Sequence, residues 1–242
     1  MATANQGNSQ YDPYRPMQLF VNDAGTLATT PAWQSATQSI QNFLDWSDLD
    51  GNGWEDLAVS KWSSFESGIY YSSAAGLETT PRWTTGDTDG DKGVACGDVD
   101  GNGWADLALG HDPTQLWSND AGTLSVTWTS GATYHGHSDL KLCDVDDDGD
   151  EDLLEIHFSD GKAHLYLNES GTLTTAPAWT YDSSSVGTAI ACGDINGDGL
   201  PDLVVGYSGD PSIVVFYNQL EPALFEDGFE SGDTGAWSDA VP

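Results

Sequence analysis

Basic residues are the scarcest resource of this chain. Its 242 residues include only six Lys or Arg against 39 Asp or Glu, a formal charge of −33 at pH 7. Such a surface repels polyanions, so nucleic acid and heparin-like polymers are excluded as partners, and so are anionic membrane surfaces. Long apolar runs are also missing: no stretch approaches the roughly 20 residues that a membrane helix needs, so no membrane insertion is read. Residues 1–10, Met1-Ala-Thr-Ala-Asn-Gln-Gly-Asn-Ser-Gln10, are polar, and no signal peptide is read there. Cysteine is rare and odd in number, at Cys96, Cys143 and Cys192. Each stands at an equivalent place one or two residues before an acidic loop, which argues against a disulfide framework. Small buried thiols are the expectation, with a Cys96–Cys192 bridge as the alternative if the two Cα atoms come close. Catalytic motifs are absent too. There is no Gly-x-Ser-x-Gly, no His-Glu-x-x-His and no glycine-rich phosphate loop, so a non-enzymatic role is expected.

What is present is a repeat. Acidic or amide residues stand at the first, third, fifth and ninth positions of four loops: Asp48, Asp50, Asn52, Asp56; Asp98, Asp100, Asn102, Asp106; Asp144, Asp146, Asp148, Asp152; and Asp194, Asn196, Asp198, Asp202. The loop starts are 50, 46 and 50 residues apart, and a near-constant period is the signature of a repeat architecture. Oxygen donors at alternate positions of a tight loop suit a hard cation such as calcium, which takes about six to eight oxygens. Position seven, namely Trp54, Trp104, Asp150 or Leu200, would add its backbone carbonyl, so its side chain is free to vary. An EF-hand is excluded, because the flanks Phe43-Leu-Asp-Trp-Ser and Asp56-Leu-Ala-Val-Ser are short strands rather than helices. About four calcium ions are expected. They would offset eight charges and leave about −25, so removing them should destabilise the chain.

The segments Ala95-Cys-Gly-Asp-Val-Asp-Gly-Asn-Gly-Trp-Ala-Asp-Leu-Ala-Leu-Gly110 and Ala191-Cys-Gly-Asp-Ile-Asn-Gly-Asp-Gly-Leu-Pro-Asp-Leu-Val-Val-Gly206 resemble the FG-GAP (VCBS-type) repeat of integrin α-subunit propellers and of many secreted bacterial proteins. The resemblance runs from about Gln18 to Asn218. It implies an all-β propeller of four-stranded blades, each about 48 residues long, with a calcium loop between the first and second strands. Family members serve mostly as adhesion or ligand-binding modules. Their propellers usually have about seven blades, whereas this chain has four repeats.

The domain reading is a polar N-terminal arm over 1–17, a propeller over 18–218 and an acidic, aromatic tail over 219–242. The third strand and its turn recur as Gln18-Leu-Phe-Val-Asn-Asp-Ala-Gly-Thr-Leu27, Leu116-Trp-Ser-Asn-Asp-Ala-Gly-Thr-Leu124 and Leu165-Tyr-Leu-Asn-Glu-Ser-Gly-Thr-Leu173, with a weaker copy over 69–77 and a half copy, Val215-Phe-Tyr-Asn218. Each full copy leads to a Trp, at Trp33, Trp83, Trp128 or Trp179, which is expected to wedge between blades. The chain both starts and ends at a third strand. Either an N-terminal strand completes the last blade in a closed ring, or the ends stay incomplete and a neighbouring copy supplies what is missing. In the tail, Leu224, Phe225, Phe229 and Trp237 are apolar and available for docking on a blade or another subunit.

Further candidates are few. Asp87, Asp89 and Asp91 form a possible extra cation site without a ninth-position carboxylate, since Ala95 stands there. His135 and His137 are two residues apart with no evident third ligand. Lys61, His111, His157 and Tyr207 follow the second strands at one aligned position, with Trp62 and Phe158 beside two of them, and form a possible ligand-binding ring. Asn168-Glu-Ser170 is the one glycosylation sequon, read on a surface turn. The function expected is calcium-binding adhesion or recognition of a protein or carbohydrate in an extracellular setting, where calcium is plentiful. The alternative is a structural protein whose subunits, copies of itself, join head to tail. A glycan-active enzyme is the remaining class, and no acid–base pair supports it.

Overall fold

The structure is a computed structural model that describes residues 2–3, 15–39, 41–61, 65–90, 92–131 and 136–219. Its strands, in chain order, are β1 (Ala2–Thr3), β2 (Arg15–Leu19), β3 (Asn22–Asp23), β4 (Thr26–Leu27), β5 (Trp33–Ser39), β6 (Gln41–Ser47), β7 (Asp56–Lys61), β8 (Gly68–Tyr70), β9 (Trp83–Thr84) and β10 (Val94–Gly97). They continue as β11 (Asp106–Leu109), β12 (Gln115–Asp120), β13 (Thr123–Thr129), β14 (His137–Cys143), β15 (Asp152–His157), β16 (Lys162–Tyr166), β17 (Trp179–Asp182), β18 (Gly187–Gly193), β19 (Asp202–Tyr207) and β20 (Ile213–Phe216). The chain is an all-β, four-bladed propeller of antiparallel sheets. Blade 1 is β6-β7-β8-β9, blade 2 is β10-β11-β12-β13, blade 3 is β14-β15-β16-β17, and blade 4 is β18-β19-β20.

The N-terminal strands do not complete the last blade. They form their own sheet, ordered β1-β2-β5, while β3 and β4 make a separate hairpin. Within that sheet β2 and β5 hold the third- and outer-strand places: Leu19 pairs with Trp33 as Ile69 pairs with Trp83 and Leu165 with Trp179. The sheet packs on blade 1, where Met17 and Trp33 meet Leu57, Val59 and Tyr70. The residues of the predicted arm before Arg15 other than 2–3, and the tail from residue 220 onward, lie outside the described residues.

Neighbouring blades share one core each. Leu49, Ala58 and Ile69 of blade 1 pack on Leu107 and Leu109 of blade 2. Val99, Ala108, Leu116 and Trp128 of blade 2 pack on Leu140, Leu153 and Tyr166 of blade 3. Val145, Leu154 and Leu165 of blade 3 pack on Ile190, Leu203 and Val205 of blade 4. Among the described residues no core cluster joins blade 4 back to the N-terminal sheet. This stacking explains the second strands. Every residue of β7, β11 and β15 is buried, because each lies in a sheet covered on both faces, and such strands read as continuous apolar runs. In β19 alone the pattern alternates, with Val204 and Gly206 only half-buried. Among the described residues no further sheet covers that face of blade 4.

The predicted wedges are in place. Trp128 is buried, and each outer-strand Trp meets an aromatic on the third strand of the next blade near a right angle: Trp33 with Tyr70, Trp83 with Trp117, Trp128 with Tyr166 and Trp179 with Phe216.

The cysteine expectation is corrected. Cys143 and Cys192 form a disulfide, with Cα atoms 6.6 Å apart, and Cys96 is free. Their sequence positions differ by one residue relative to the acidic loops, yet β14 and β18 lie side by side in adjacent blades, and that offset brings the two sulfurs together. Burial pushes the Cys96 thiol well up, and the nearby Asp45 carboxylate adds to the effect.

Candidate metal centre

The four acidic loops share one hydrogen-bond scheme. The ninth-position aspartates Asp56, Asp106, Asp152 and Asp202 are fully buried. One carboxylate oxygen of each accepts the second-position backbone N–H of its own loop: Leu49 at 2.9 Å, Val99 at 3.0 Å, Val145 at 2.8 Å and Ile195 at 2.9 Å. The other oxygen accepts from the end of the third strand: Ser72 at 2.6 Å, Asn119 at 2.7 Å, Asn168 at 2.8 Å and Asn218 at 2.9 Å. The first-position aspartate then winds the loop tip, accepting the sixth-position N–H of Gly53, Gly103, Gly149 and Gly199 at 2.7–3.0 Å. The fifth-position oxygen accepts the seventh-position N–H of Trp54, Trp104, Asp150 and Leu200 at 2.8–2.9 Å.

Glycine at the fourth and sixth positions meets a geometric need, since Gly51, Gly53, Gly101 and Gly103 all have positive φ. Asp147 takes the fourth position of the third loop at φ 60°, a conformation that costs a non-glycine residue about 1 kcal/mol. At Gly51 there is a second reason: an added Cβ would lie 2.5 Å from the Trp104 ring, which rests on the preceding loop.

The result is three carboxylate clusters. One oxygen from each of Asp48, Asp50 and Asp56 lies within 4.8 Å of the others, and the same holds for Asp98, Asp100 and Asp106, and for Asp144, Asp146 and Asp152. The fourth loop differs because its third position is an amide: Asn196 donates through Nδ2 to Asp198 Oδ2 at 2.8 Å. The donor set fits a hard cation. All donors are oxygens, and Asp146 Oδ1 is buried without a hydrogen-bond partner. The clusters also carry like charge into a desolvated place. Burial pushes Asp106 and Asp152 up to about 6, against opposing backbone hydrogen bonds, and raises Asp56 in the same way. Asp146 is raised first by burial and then by the negative charges of Asp148 and Asp144. A divalent cation would relieve both effects.

Sequence reasoning missed the residues that tie these loops to one another. Asn119 donates through Nδ2 to the carbonyl of Leu49 in the preceding blade's loop at 2.9 Å; Asn168 donates to Val99 at 2.7 Å, and Asn218 to Val145 at 2.5 Å. The signal was an asparagine recurring at the start of the third-strand turn. Its use as a clamp between blades could not be read from one repeat. The sequon expectation is corrected on the same ground: Asn168 is 2% exposed and its amide nitrogen is engaged, so it is no glycan acceptor in the folded chain.

The other predicted residues are dispersed. Lys61, His157 and Tyr207 do hold equivalent places, opposite Gln41, His137 and Gly187 on the inner strands. However, all three side chains are buried between blades, and only His111 is half-exposed. Lys61 sits over the Tyr70 ring, and burial lowers its pKa. His157 bonds Glu155, whose carboxylate also accepts from Tyr166 and Thr114 in a buried polar network. These residues pack the structure instead of presenting a ring to a ligand. Phe158 is exposed, while Trp62 lies outside the described residues. Asp89 N donates to Asp87 Oδ1 at 3.4 Å, and Asp91 lies outside the described residues, as do His135 and the side chain of His137.

Comparison with known families and structures agrees with this architecture. Residues 144–205 match the FG-GAP-like repeat, which spans the third and fourth acidic loops. Comparison with curated proteins finds no match. Two crystal structures of BBS1N in complex with ARL6DN, one soaked with mercury and one with lead, share the fold. The first has a TM-score of 0.56 at 14% identity, covering 91% of this chain and 62% of that one. The second has a TM-score of 0.52 at 14% identity, covering 72% and 53%. This chain therefore spans between half and two thirds of those chains.

Proposed function

We propose that this protein is a calcium-braced propeller that serves as a non-enzymatic recognition module outside the cell, with a protein or carbohydrate as ligand. The observation that carries the metal part is the repetition of one three-carboxylate cluster at the same place in three blades, with a buried, unpartnered oxygen in one of them. Asp48, Asp50, Asn52 and Asp56 would hold one ion, and the corresponding residues of the second and third loops two more. The carbonyls of Trp54, Trp104 and Asp150 would complete the shell. Asp194, Asn196, Asp198 and Asp202, with the same three carboxylates and one amide as the first two loops, would hold a fourth ion once the Asn196–Asp198 hydrogen bond opens. The cation would supply positive charge that cancels repulsion and pins the loop to the third strand.

Support for a recognition role is of three kinds. The sequence carries no catalytic motif. The repeat it resembles serves mostly in adhesion. A chain of similar fold, BBS1N, was crystallised in complex with ARL6DN. The disulfide fits an oxidising compartment, where calcium is also abundant. Calorimetric titration of the chelated protein with calcium and with magnesium tests the first step. Three or four calcium sites and a large rise in melting temperature are expected, and absence of binding at millimolar calcium overturns the reading. Glycan-array and protein-capture screens in calcium test the second.

A second reading is assembly into filaments, and one observation favours it. Ile195 and Val215 are exposed on the outer face of blade 4, where their counterparts Val99 and Leu116 are buried by the next blade. Another copy's N-terminal sheet is the occupant such assembly would require. Light-scattering mass in calcium separates a monomer of 25.7 kDa from an open-ended polymer.

A further inference from the structure

Blade 4 lacks an outer strand among the described residues, and the gap has a definite shape. An open cleft of about 190 Å³ lies between blades 3 and 4, lined by Val145, Leu165, Trp179, Leu203, Phe216 and Tyr217, with Asn218 at its end. The same place between the other sheets is filled by a leucine from the turn that leads to the outer strand. Leu77 packs there against Met17, Leu57 and Tyr70; Leu124 packs against Leu49 and Leu107; Leu173, 2% exposed, packs against Val99 and Leu116. In the N-terminal sheet, which no blade precedes, the matching Leu27 is 49% exposed. The leucine is therefore a plug for the inter-blade slot: Leu173 is buried and Leu77 and Leu124 are half-buried against the preceding sheet.

Each plug stands five residues after the residue at the start of the third-strand turn: Asn22 to Leu27, Ser72 to Leu77, Asn119 to Leu124 and Asn168 to Leu173. The outer-strand Trp follows at eleven in three copies, Asn22 to Trp33, Ser72 to Trp83 and Asn168 to Trp179, and at nine from Asn119 to Trp128. It pairs with Leu19, Ile69, Leu165 and Leu116 respectively. Counting from Asn218, Leu224 falls at six and Phe229 at eleven, and Val215 holds the place of Leu116 and Leu165.

We propose that the chain's own segment 220–242 completes blade 4: it adds an outer strand to the free edge of β20, seats Leu224 in the cleft and sets Phe229 opposite Val215. The occupant follows from three facts on the chain itself. The segment begins two residues past Asn218, which lines the cleft. It carries an aromatic, Phe229, at the outer-strand Trp offset of eleven, and a leucine, Leu224, one residue beyond the plug offset of five. The slot is closed by the same chain in every blade that has an outer strand. Completion in this way removes the unpaired edge that would otherwise invite a strand from another molecule. It does not depend on the metal reading.

Hydrogen exchange of the full chain in calcium, read by mass spectrometry at two protein concentrations, tests it. Amides of β20 and of residues 222–230 should exchange at least about tenfold more slowly than free peptide, equally at both concentrations. Leu224→Ser and Phe229→Ser should each remove that protection while leaving β14–β16 unchanged. Exchange of 222–230 at the free-peptide rate overturns the proposal. Protection that appears only at the higher concentration, with a doubled mass, also overturns it and makes a second copy the occupant. As a check independent of stability, Val215→Cys with Phe229→Cys should cross-link within one chain under mild oxidation. Cross-links only between chains, or none, contradict the pairing.

Discussion

Trp128 of the second blade meets Tyr166 of the third edge-on, with ring centroids 5.2 Å apart and planes at 77°. The pair recurs between every two neighbouring sheets, so each outer strand is nailed to the next blade by one aromatic contact. Edge-to-face pairs contribute about 0.5–1.5 kcal/mol beyond area burial. Trp128→Ala should therefore destabilise by about 3–5 kcal/mol, the range for deleting a buried aromatic. Trp33→Ala, at the end of the stack, should cost less. Urea melts in calcium measure both.

The third loop separates metal binding from loop architecture. Asp146 Oδ1 has no partner, whereas both oxygens of Asp152 accept backbone N–H groups. Asp146→Asn should weaken calcium binding at one site yet be neutral or slightly stabilising in chelator, because it removes repulsion. Asp152→Ala should destabilise by about 2–5 kcal/mol with or without calcium, since two buried donors lose their acceptor. Calorimetry and paired melts distinguish the two.

Stability should depend on pH in opposite senses with and without metal. Burial raises Asp106 and Asp152 from an ordinary 3.8 to about 6. In chelator the folded state holds these protons while the unfolded state has released them. The contribution is full below about pH 3.8 and is lost as pH rises through about 6. The chelated protein should thus melt higher at about pH 4.5 than at pH 7. Calcium needs the ionised carboxylates, so its stabilising effect should grow over the same interval. Melting curves at the two pH values, with calcium and with chelator, check both signs.

The asparagine clamp predicts a cost that local loop chemistry does not. Asn168→Ala leaves the carbonyls of Val99 and Glu151 without their donor and should destabilise by about 1–3 kcal/mol. Asn119→Ala should behave alike through Leu49 and Ala105. Expression in a glycosylating host should leave Asn168 unmodified in the folded protein, as intact mass would show.

Reduction of Cys143–Cys192 opens a link across 49 residues of sequence. In the chain-entropy view this removes up to about 4 kcal/mol. Denaturant melts with and without reductant measure it, and Cys96→Ser in the same assay should not reproduce the loss.

The repeat, the strand order within a blade, the outer-strand tryptophans and three of the four expected acidic clusters were legible in the sequence. All are local. A ten-residue loop whose glycines permit positive φ and whose aspartates bond their own backbone closes on itself wherever it sits. Contacts between blades were not legible, because they depend on how whole sheets stack. That stacking paired Cys143 with Cys192 and not with Cys96. It turned Asn168 from a sequon into a clamp, buried Lys61, His157 and Tyr207, and kept the N-terminal strands on blade 1 instead of closing the ring through blade 4. Cys143 and Cys192 lie 49 positions apart and Asn168 and Val99 lie 69 apart, so such pairs meet only after both sheets have formed, and a one-residue offset between strands decides which side chains face each other.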